Sequence, residues 1–286
     1  MKLGVLTGLW YVSEGASVLE SLRRAAGLGF RYVDLHGVFH AGPAHLSLAE
    51  REQVREELDR LGLTPRNYVL HARHNIASAS QNEQDEDLSY LTEGLDLAGS
   101  WGINQMMLNA GQWAQGVPRE LAWTRAVHFL QQICDRAEER GAFIAIEPEP
   151  YVWFLVNDLA SSEHMLADVD RPNFACLVDL GHMALAREGP SDLAQLEGRV
   201  IHAHLSDHQP YLHTNQPVGT GFAPIAAYLE ALRDLGVDRD ASRWGYDEIV
   251  VSFELGVPDA AIDDADNWVR ISLDHVRQIA PYLSTA

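Results

Sequence analysis

One unit recurs along the 286 residues: a polar amphipathic stretch ending in a glycine, a short β-branched run, then a polar loop. The joints read Gly27-Leu28-Gly29-Phe30, Leu61-Gly62-Leu63, Trp101-Gly102-Ile103, Arg140-Gly141-Ala142, Glu197-Gly198-Arg199 and Leu235-Gly236-Val237. A glycine there ends a helix by taking a left-handed backbone conformation that costs other residues steric energy. At one joint Arg171-Pro172 stands in the glycine's place. The apolar runs predict eight strands, near 3–8, 30–36, 65–71, 103–109, 142–147, 174–179, 199–205 and 248–254. Helical periodicity predicts helices between them, near 16–27, 47–61, 84–100, 119–140, 158–168, 183–196 and 222–235, with a last one over 259–281. Ser47 with Glu50 is a capping-box signature. Eight strict β-α units predict an α/β fold closed into a parallel (β/α)8 barrel, one domain over 1–286. An open doubly wound sheet is the competitor. It would carry a glycine-rich phosphate loop after strand one, and Thr7-Gly8-Leu9-Trp10-Tyr11 is no such loop.

Bulk properties narrow the classes of function. The formal charge of −20 repels a phosphate backbone at long range and argues against a nucleic-acid partner. No run approaches the ~20 apolar residues of a membrane span. Met1-Lys2-Leu3 leads straight into a strand with no signal-peptide pattern, so a cytoplasmic location is expected. Cys134 and Cys176 lie in a helical and a strand pattern and read as buried free thiols. Homo-oligomers built on helix surfaces are compatible with such a barrel.

Barrel enzymes place their chemistry at the carboxyl ends of the strands. Strand five ends Ala145-Ile146-Glu147-Pro148-Glu149-Pro150, strand six Leu177-Val178-Asp179-Leu180-Gly181-His182, strand seven His202-Ala203-His204-Leu205-Ser206-Asp207, and strand eight Val251-Ser252-Phe253-Glu254. Glu147 and His204 each lie six residues past their joint glycine, and Asp179 six past Asn173. These equal offsets predict side chains at similar heights. An apolar strand ending in an uncompensated carboxylate is costly, and four adjacent polar ends call for a cation. Glu147, Asp179, His204 and Glu254 are therefore expected to hold one divalent metal. Three oxygens and one nitrogen suit Mn2+ first, then Mg2+ or Co2+, and are less typical of zinc. Glu149 could replace Glu147, but Glu147 ends the apolar run.

Other strand ends supply polar groups and aromatic walls: His36, His71, Arg73, His74, Asn109, Gln112 and Trp113, with Trp10, Tyr11, Tyr151, Trp153 and Phe154 on the loops. Such a lining suits a polyhydroxylated small molecule. About half of these aromatics are expected to serve packing. His202 reads as a satisfied core histidine. His208 and His213 read first as surface-loop residues, with acid or base roles as the sharper alternative.

Ile146-Glu147-Pro148, Val178-Asp179-Leu180-Gly181-His182, His204-Leu205-Ser206-Asp207, Gly219-Thr220-Gly221 and Ser252-Phe253-Glu254 stand in this order on these strands. Together they resemble the xylose-isomerase-like TIM barrels, a superfamily of ketose 3-epimerases, inosose isomerases and dehydratases, hydroxypyruvate isomerases and apurinic endonuclease relatives. The resemblance covers essentially the whole chain. It implies that Glu147, Asp179, His204 and Glu254 are metal ligands. It also implies that Glu147 and Glu254 carry protons through a metal-stabilised enediolate, so that a small sugar, keto-sugar or cyclitol is isomerised or epimerised. His182 matches the family's substrate-contacting histidine, and His71, Asn109, Trp113 and His213 join it as expected substrate contacts.

Two departures matter. Ketose epimerases carry a substrate-binding arginine six residues past the ligand histidine, where Pro210 stands here. The endonucleases build a three-metal cluster, for which strand four should offer a histidine; Asn109 occupies that place, and Tyr211-Leu212-His213 replaces their Asp-x-His pair. The alternative is a metal-dependent lyase, a dehydratase or oxo-glycoside deglycosidase acting by β-elimination, with His213 or His71 as general acid. An endonuclease and a non-catalytic binding barrel follow behind it.

Overall fold

The computed structural model describes residues 1–257 and 262–286. Its barrel strands are β1 (Lys2–Leu6), β2 (Tyr32–His36), β3 (Thr64–Val69), β4 (Gln105–Asn109), β5 (Phe143–Glu147), β6 (Phe174–Asp179), β7 (Val200–Leu205) and β10 (Val250–Phe253). All pair in parallel and close in the order β1-β10-β7-β6-β5-β4-β3-β2. The expected TIM barrel is thus the observed fold. An antiparallel hairpin, β8 (Asp207–Gln209) and β9 (Leu212–Gln216), rises from the end of β7. No sequence pattern announced it.

The helices are α1 (Gly8–Glu14), α2 (Val18–Gly27), α3 (Leu48–Leu61), α4 (Gln81–Ser100), α5 (Arg119–Glu138), α6 (Leu159–Val169), α7 (Leu180–Leu185), α8 (Ile225–Leu235), α9 (Val237–Asp240) and α10 (Ala265–Ile279). Ser47 caps α3 in the predicted capping box with Glu50. The joint glycines Gly29, Gly62, Gly102, Gly141, Gly198 and Gly236 all have φ between 65° and 90°, the left-handed geometry the pattern required. At the Arg171-Pro172 joint Asp170 takes that role, with φ 47°.

Three expectations change. The helix expected over 183–196 is split into α7 and a 3-10 turn, Pro190–Leu196. Pro190 has no N–H to continue an α-helical ladder. The first residues of the expected 259–281 helix, 259–261, lie outside the described residues, and α10 begins after Asp264, whose side chain accepts from the Asn267 amide. Strand one leads at once into α1, so Trp10 is not a wall of the barrel mouth. It is buried, and its indole N–H donates to Asp266 Oδ1 at 2.8 Å.

Strand alternation sends every second side chain inward. Toward the amino-terminal side of the barrel these are unusually polar: Asp34, Asn67, Gln105, His202 and Ser252 are all buried. Gln105 Nε2 donates to Asn67 Oδ1 at 3.1 Å. His202 Nε2 meets Asp34 Oδ2 at 2.8 Å, joining β7 to β2 through the barrel interior rather than along a ladder. His202 is therefore the satisfied core histidine that was expected. This polar layer is the floor of the site above it.

Candidate metal centre

Four neighbouring staves, β5, β6, β7 and β10, end in the site. Donor atoms of Glu147, Asp179, His204 and Glu254 all lie within 4.8 Å of one another. Glu149 is not in that set. In ladder register the four strand ends are staggered. Asp179 pairs with His204, but Ile146 pairs with Cys176, which puts Glu147 opposite Leu177 and two residues below Asp179. Glu254 follows Phe253, which pairs with Leu205, one step above His204. Strands in a closed barrel tilt and shear by about one residue per strand, so side chains at similar height on successive strands are offset in register in this way. Side-chain length and tilt bring the donors together.

The cluster is short of hydrogens. His204 Nδ1 lies 3.0 Å from Glu147 Oε1 and 2.8 Å from Glu254 Oε2, so one ring nitrogen faces two carboxylates. Asp179 Oδ2 and Glu254 Oε2 are buried without a hydrogen-bond partner. The 2.8 Å approach to Glu254 lacks hydrogen-bond direction, so it leaves that oxygen unsatisfied. Leaving buried carboxylate oxygens unpaired is expensive, and a divalent cation among these atoms would satisfy all four groups at once. For Nδ1 to bind a cation, His204 must carry its proton on Nε2, which faces Asp34 Oδ2 at 3.5 Å. The residues present therefore fit a metal ion.

Charge in the site follows from burial and crowding. Burial pushes the Glu147 carboxyl up to about 7, with Glu254 adding repulsion and His204 opposing. Burial also works against Asp179, yet His182, His208 and the Ser206 hydroxyl together hold it at about 2. His204 is raised although burial pulls it down, because Glu147 and Glu254 outweigh that pull. The same contest leaves His182 at about 9, with Asp179 its strongest carboxylate neighbour.

Asp34 was missed in the sequence, and Asp207 was noted there only as part of a motif, without a role. Asp34 sits mid-strand between Val33 and Leu35, fully buried, and Oδ2 reaches both His202 and His204. Its signal was a carboxylate inside an apolar strand with the inward parity of His36. Asp207 accepts four backbone N–H groups: His208 (2.9 Å) and Ala223 (3.1 Å) on Oδ1, Gly219 (2.9 Å) and Gly221 (2.8 Å) on Oδ2. It ties the Gly219-Thr220-Gly221 segment to the root of the hairpin, which gives that motif a structural role.

The expected substrate contacts divide. His182, the third residue of α7, donates Nδ1–H to the Pro148 carbonyl at 3.1 Å and meets His213 Nε2 at 2.7 Å. His208 is fully buried and His213 half-buried, so neither is the surface-loop residue first expected; the hairpin folds them inward. Asn109 pairs in register with Glu147, and its Oδ1 accepts from the Gly111 amide at 3.2 Å. His71 presents a buried Nδ1 without a partner. The Trp113 indole N–H donates to the Val117 carbonyl, and the residue is 38% exposed. His74 is engaged elsewhere, on Asp87 at 3.0 Å. Pro210 lies in the turn between Gln209 and Leu212 at the hairpin tip, next to the 86% exposed Tyr211. Cys134 and Cys176 are free and buried, as expected.

Fold and site together define a (β/α)8 barrel with a candidate metal centre at the carboxyl end of its strands. The model of the xylose isomerase-like TIM barrels matches residues 22–279, and the chain belongs to that family. It is similar to fructoselysine 3-epimerase of Shigella flexneri, with 22% identity over 270 residues, 92% of this chain and 93% of that one. Among solved structures, the IOLI protein with a bound zinc atom superposes with a TM-score of 0.82 at 16% identity, covering 100% of both chains. D-psicose 3-epimerase from Clostridium cellulolyticum H10 does so at 0.79 and 18%, covering 98% of this chain and 99% of that one. At such identities the structural likeness speaks for the fold. Among the described residues no helix is long and apolar enough to cross a membrane.

Proposed function

We propose that the protein is a metal-dependent isomerase or epimerase of a small sugar, keto-sugar or cyclitol, and that Glu147, Asp179, His204 and Glu254 hold one divalent metal. The observation that carries this reading is the set of three carboxylates and one imidazole within 4.8 Å, with buried oxygens left unpaired. The oxygen-rich donor set favours Mn2+, with Mg2+ or Co2+ as substitutes. The zinc of the IOLI protein makes zinc the first competitor to test. A divalent cation held by these four residues would polarise a substrate carbonyl and so acidify the C–H of the adjacent hydroxyl-bearing carbon.

The chain's own residues then divide the work. Glu147 and Glu254 occupy the two ends of the four-stave arc, on β5 and just past β10, so they approach a bound ligand from different sides. One removes the proton and the other returns it on the opposite face. His182, fixed by the Pro148 carbonyl through Nδ1 and paired with His213 through Nε2, can turn Nε2 to a substrate oxygen if that oxygen replaces His213 as its partner. His71, Asn109 and His213 supply further polar contacts, and Trp113, its indole N–H already donated to Val117, offers an aromatic face. The 3-epimerase names of the curated relatives and several structural neighbours favour this chemistry over β-elimination.

Turnover in deuterated water tests the proposal. The metal-loaded enzyme with a panel of ketoses and inososes should incorporate deuterium at the carbon beside the carbonyl and equilibrate two isomers. Loss of water or of an aglycone without reverse isomerisation would replace this reading with the lyase.

A further inference from the structure

Three imidazoles, those of His182, His208 and His213, converge beside the proposed metal site with ring nitrogens within 4.8 Å of one another. The hydrogen bonds around His208 deny it a ligand's role. Its Nδ1 accepts from two backbone amides of β9, Thr214 and Asn215, both at 3.2 Å. An imidazole whose Nδ1 accepts must carry its proton on Nε2. That N–H meets Ser206 Oγ at 3.0 Å. The Ser206 hydroxyl, accepting there, donates onward to Asp179 Oδ1 at 2.6 Å. The direction of every bond in the chain is thereby set, from the β9 backbone to the carboxylate.

Asp179 Oδ1 also accepts from the amides of Gly181 (2.6 Å) and His182 (2.8 Å), so it takes three donors, whereas Oδ2 takes none. A second, independent observation marks the same place. A Cβ on Gly181 would stand 2.3 Å from Ser206 Oγ and 2.6 Å from His208 Nε2. Gly181 is not in a left-handed conformation, so it is the approach of Ser206 and His208 that requires the missing side chain.

We infer that Ser206 and His208 are positioning residues that saturate one oxygen of Asp179, leaving the other as a single, aimed donor to the metal, and that they couple this ligand to the β8–β9 hairpin. The inference rests on the proposed metal site. It assigns His208 to orientation rather than to a second metal. A carboxylate with one oxygen saturated binds one-sidedly and loses no rotamer freedom when the ion arrives. Partners of this kind alter metal affinity by about 10- to 100-fold in other proteins.

The test is metal affinity, measured with Mn2+ against a competing chelator, alongside thermal unfolding of the metal-free proteins. Ser206→Ala should weaken Mn2+ binding about 10- to 100-fold, in the range seen for such partners. Ser206→Thr, which keeps the hydroxyl, should restore most of it. His208→Asn keeps an acceptor near the β9 amides but loses the Nε2 donor, and should fall between them. With Co2+ in place of Mn2+, the visible absorption of Ser206→Ala should shift as the second Asp179 oxygen, left with two of its three donors, becomes able to approach the ion. Ser206→Ala with wild-type Mn2+ affinity and an unshifted Co2+ spectrum would overturn the inference, as would a lowered melting temperature with unchanged affinity. A wild-type protein that takes up no metal would overturn the proposed site and this inference with it, so the two failures are distinguishable.

Discussion

Asp34 is the carboxylate that faces His204 from below. Its Oδ2 stands 2.8 Å from His202 Nε2 and 3.5 Å from His204 Nε2, with both rings fully buried. A neutral His204 protonated on Nε2, the nitrogen that faces Asp34, presents a bare Nδ1 upward, which is the form a metal requires. Asp34→Asn should therefore weaken divalent-metal binding by about 10- to 100-fold. Isothermal titration would read this; an unchanged dissociation constant in a folded variant would remove Asp34 from the account. Above it, Glu147→Gln and Glu254→Gln should each lower kcat/KM by about 100-fold or more, the range for loss of a positioned acid or base. Steady-state rates at saturating metal check this, and a variant retaining more than a tenth of wild-type activity would not be a proton carrier. The four proposed ligands were legible because each closes an apolar strand, where a charge is conspicuous. Asp34 was not, because it lies mid-strand and its neighbours Val33 and Leu35 read as ordinary core.

Helix α6 carries a pH dependence that belongs to its amino terminus. Glu188 is half-buried and accepts from the Leu159 amide at 2.7 Å. Burial pushes its carboxyl up to about 7, with the charges of Asp158 and Asp192 adding and the Leu159 amide opposing. The folded state therefore binds this proton more tightly than the unfolded chain, whose glutamates titrate near 4.5. The contribution is fully present below that value and is lost as pH rises through about 7. Glu188→Gln should flatten this part of the profile and gain stability relative to wild type at pH 8. Melting curves from pH 5 to 8 check it, and parallel profiles for the two proteins would contradict the assignment. The eight barrel strands and their glycine-stopped helices were readable because each unit repeats one period and one stop signal. The β8–β9 hairpin was not. Its first strand has three residues, its turn is Pro210-Tyr211 rather than an Asn-Gly or Asp-Gly pair, and two β9 amides bond the His208 side chain. That one missing element is why His208 and His213 were expected at the surface.

Across the whole molecule the barrel places a polar interior floor beneath an acidic mouth. A cation bound there ties together the ends of β5, β6, β7 and β10, half of the closed sheet. It binds the folded state alone, so it should stabilise the protein by mass action, by about 2.7 kcal/mol at a free concentration of one hundred times Kd. Addition of Mn2+ should raise the melting temperature, and a chelator should reverse the rise. The closed fold was legible in the sequence from the count of repeating units; the stagger of its strands was not, since tilt and shear belong to the closed sheet rather than to any one strand. The most direct test of the metal centre is elemental analysis of wild-type protein beside the Glu147→Gln, Asp179→Asn double variant after metal loading and gel filtration. The account predicts about one divalent ion per wild-type chain and essentially none in the folded double variant, and one ion per chain retained by the double variant would contradict it.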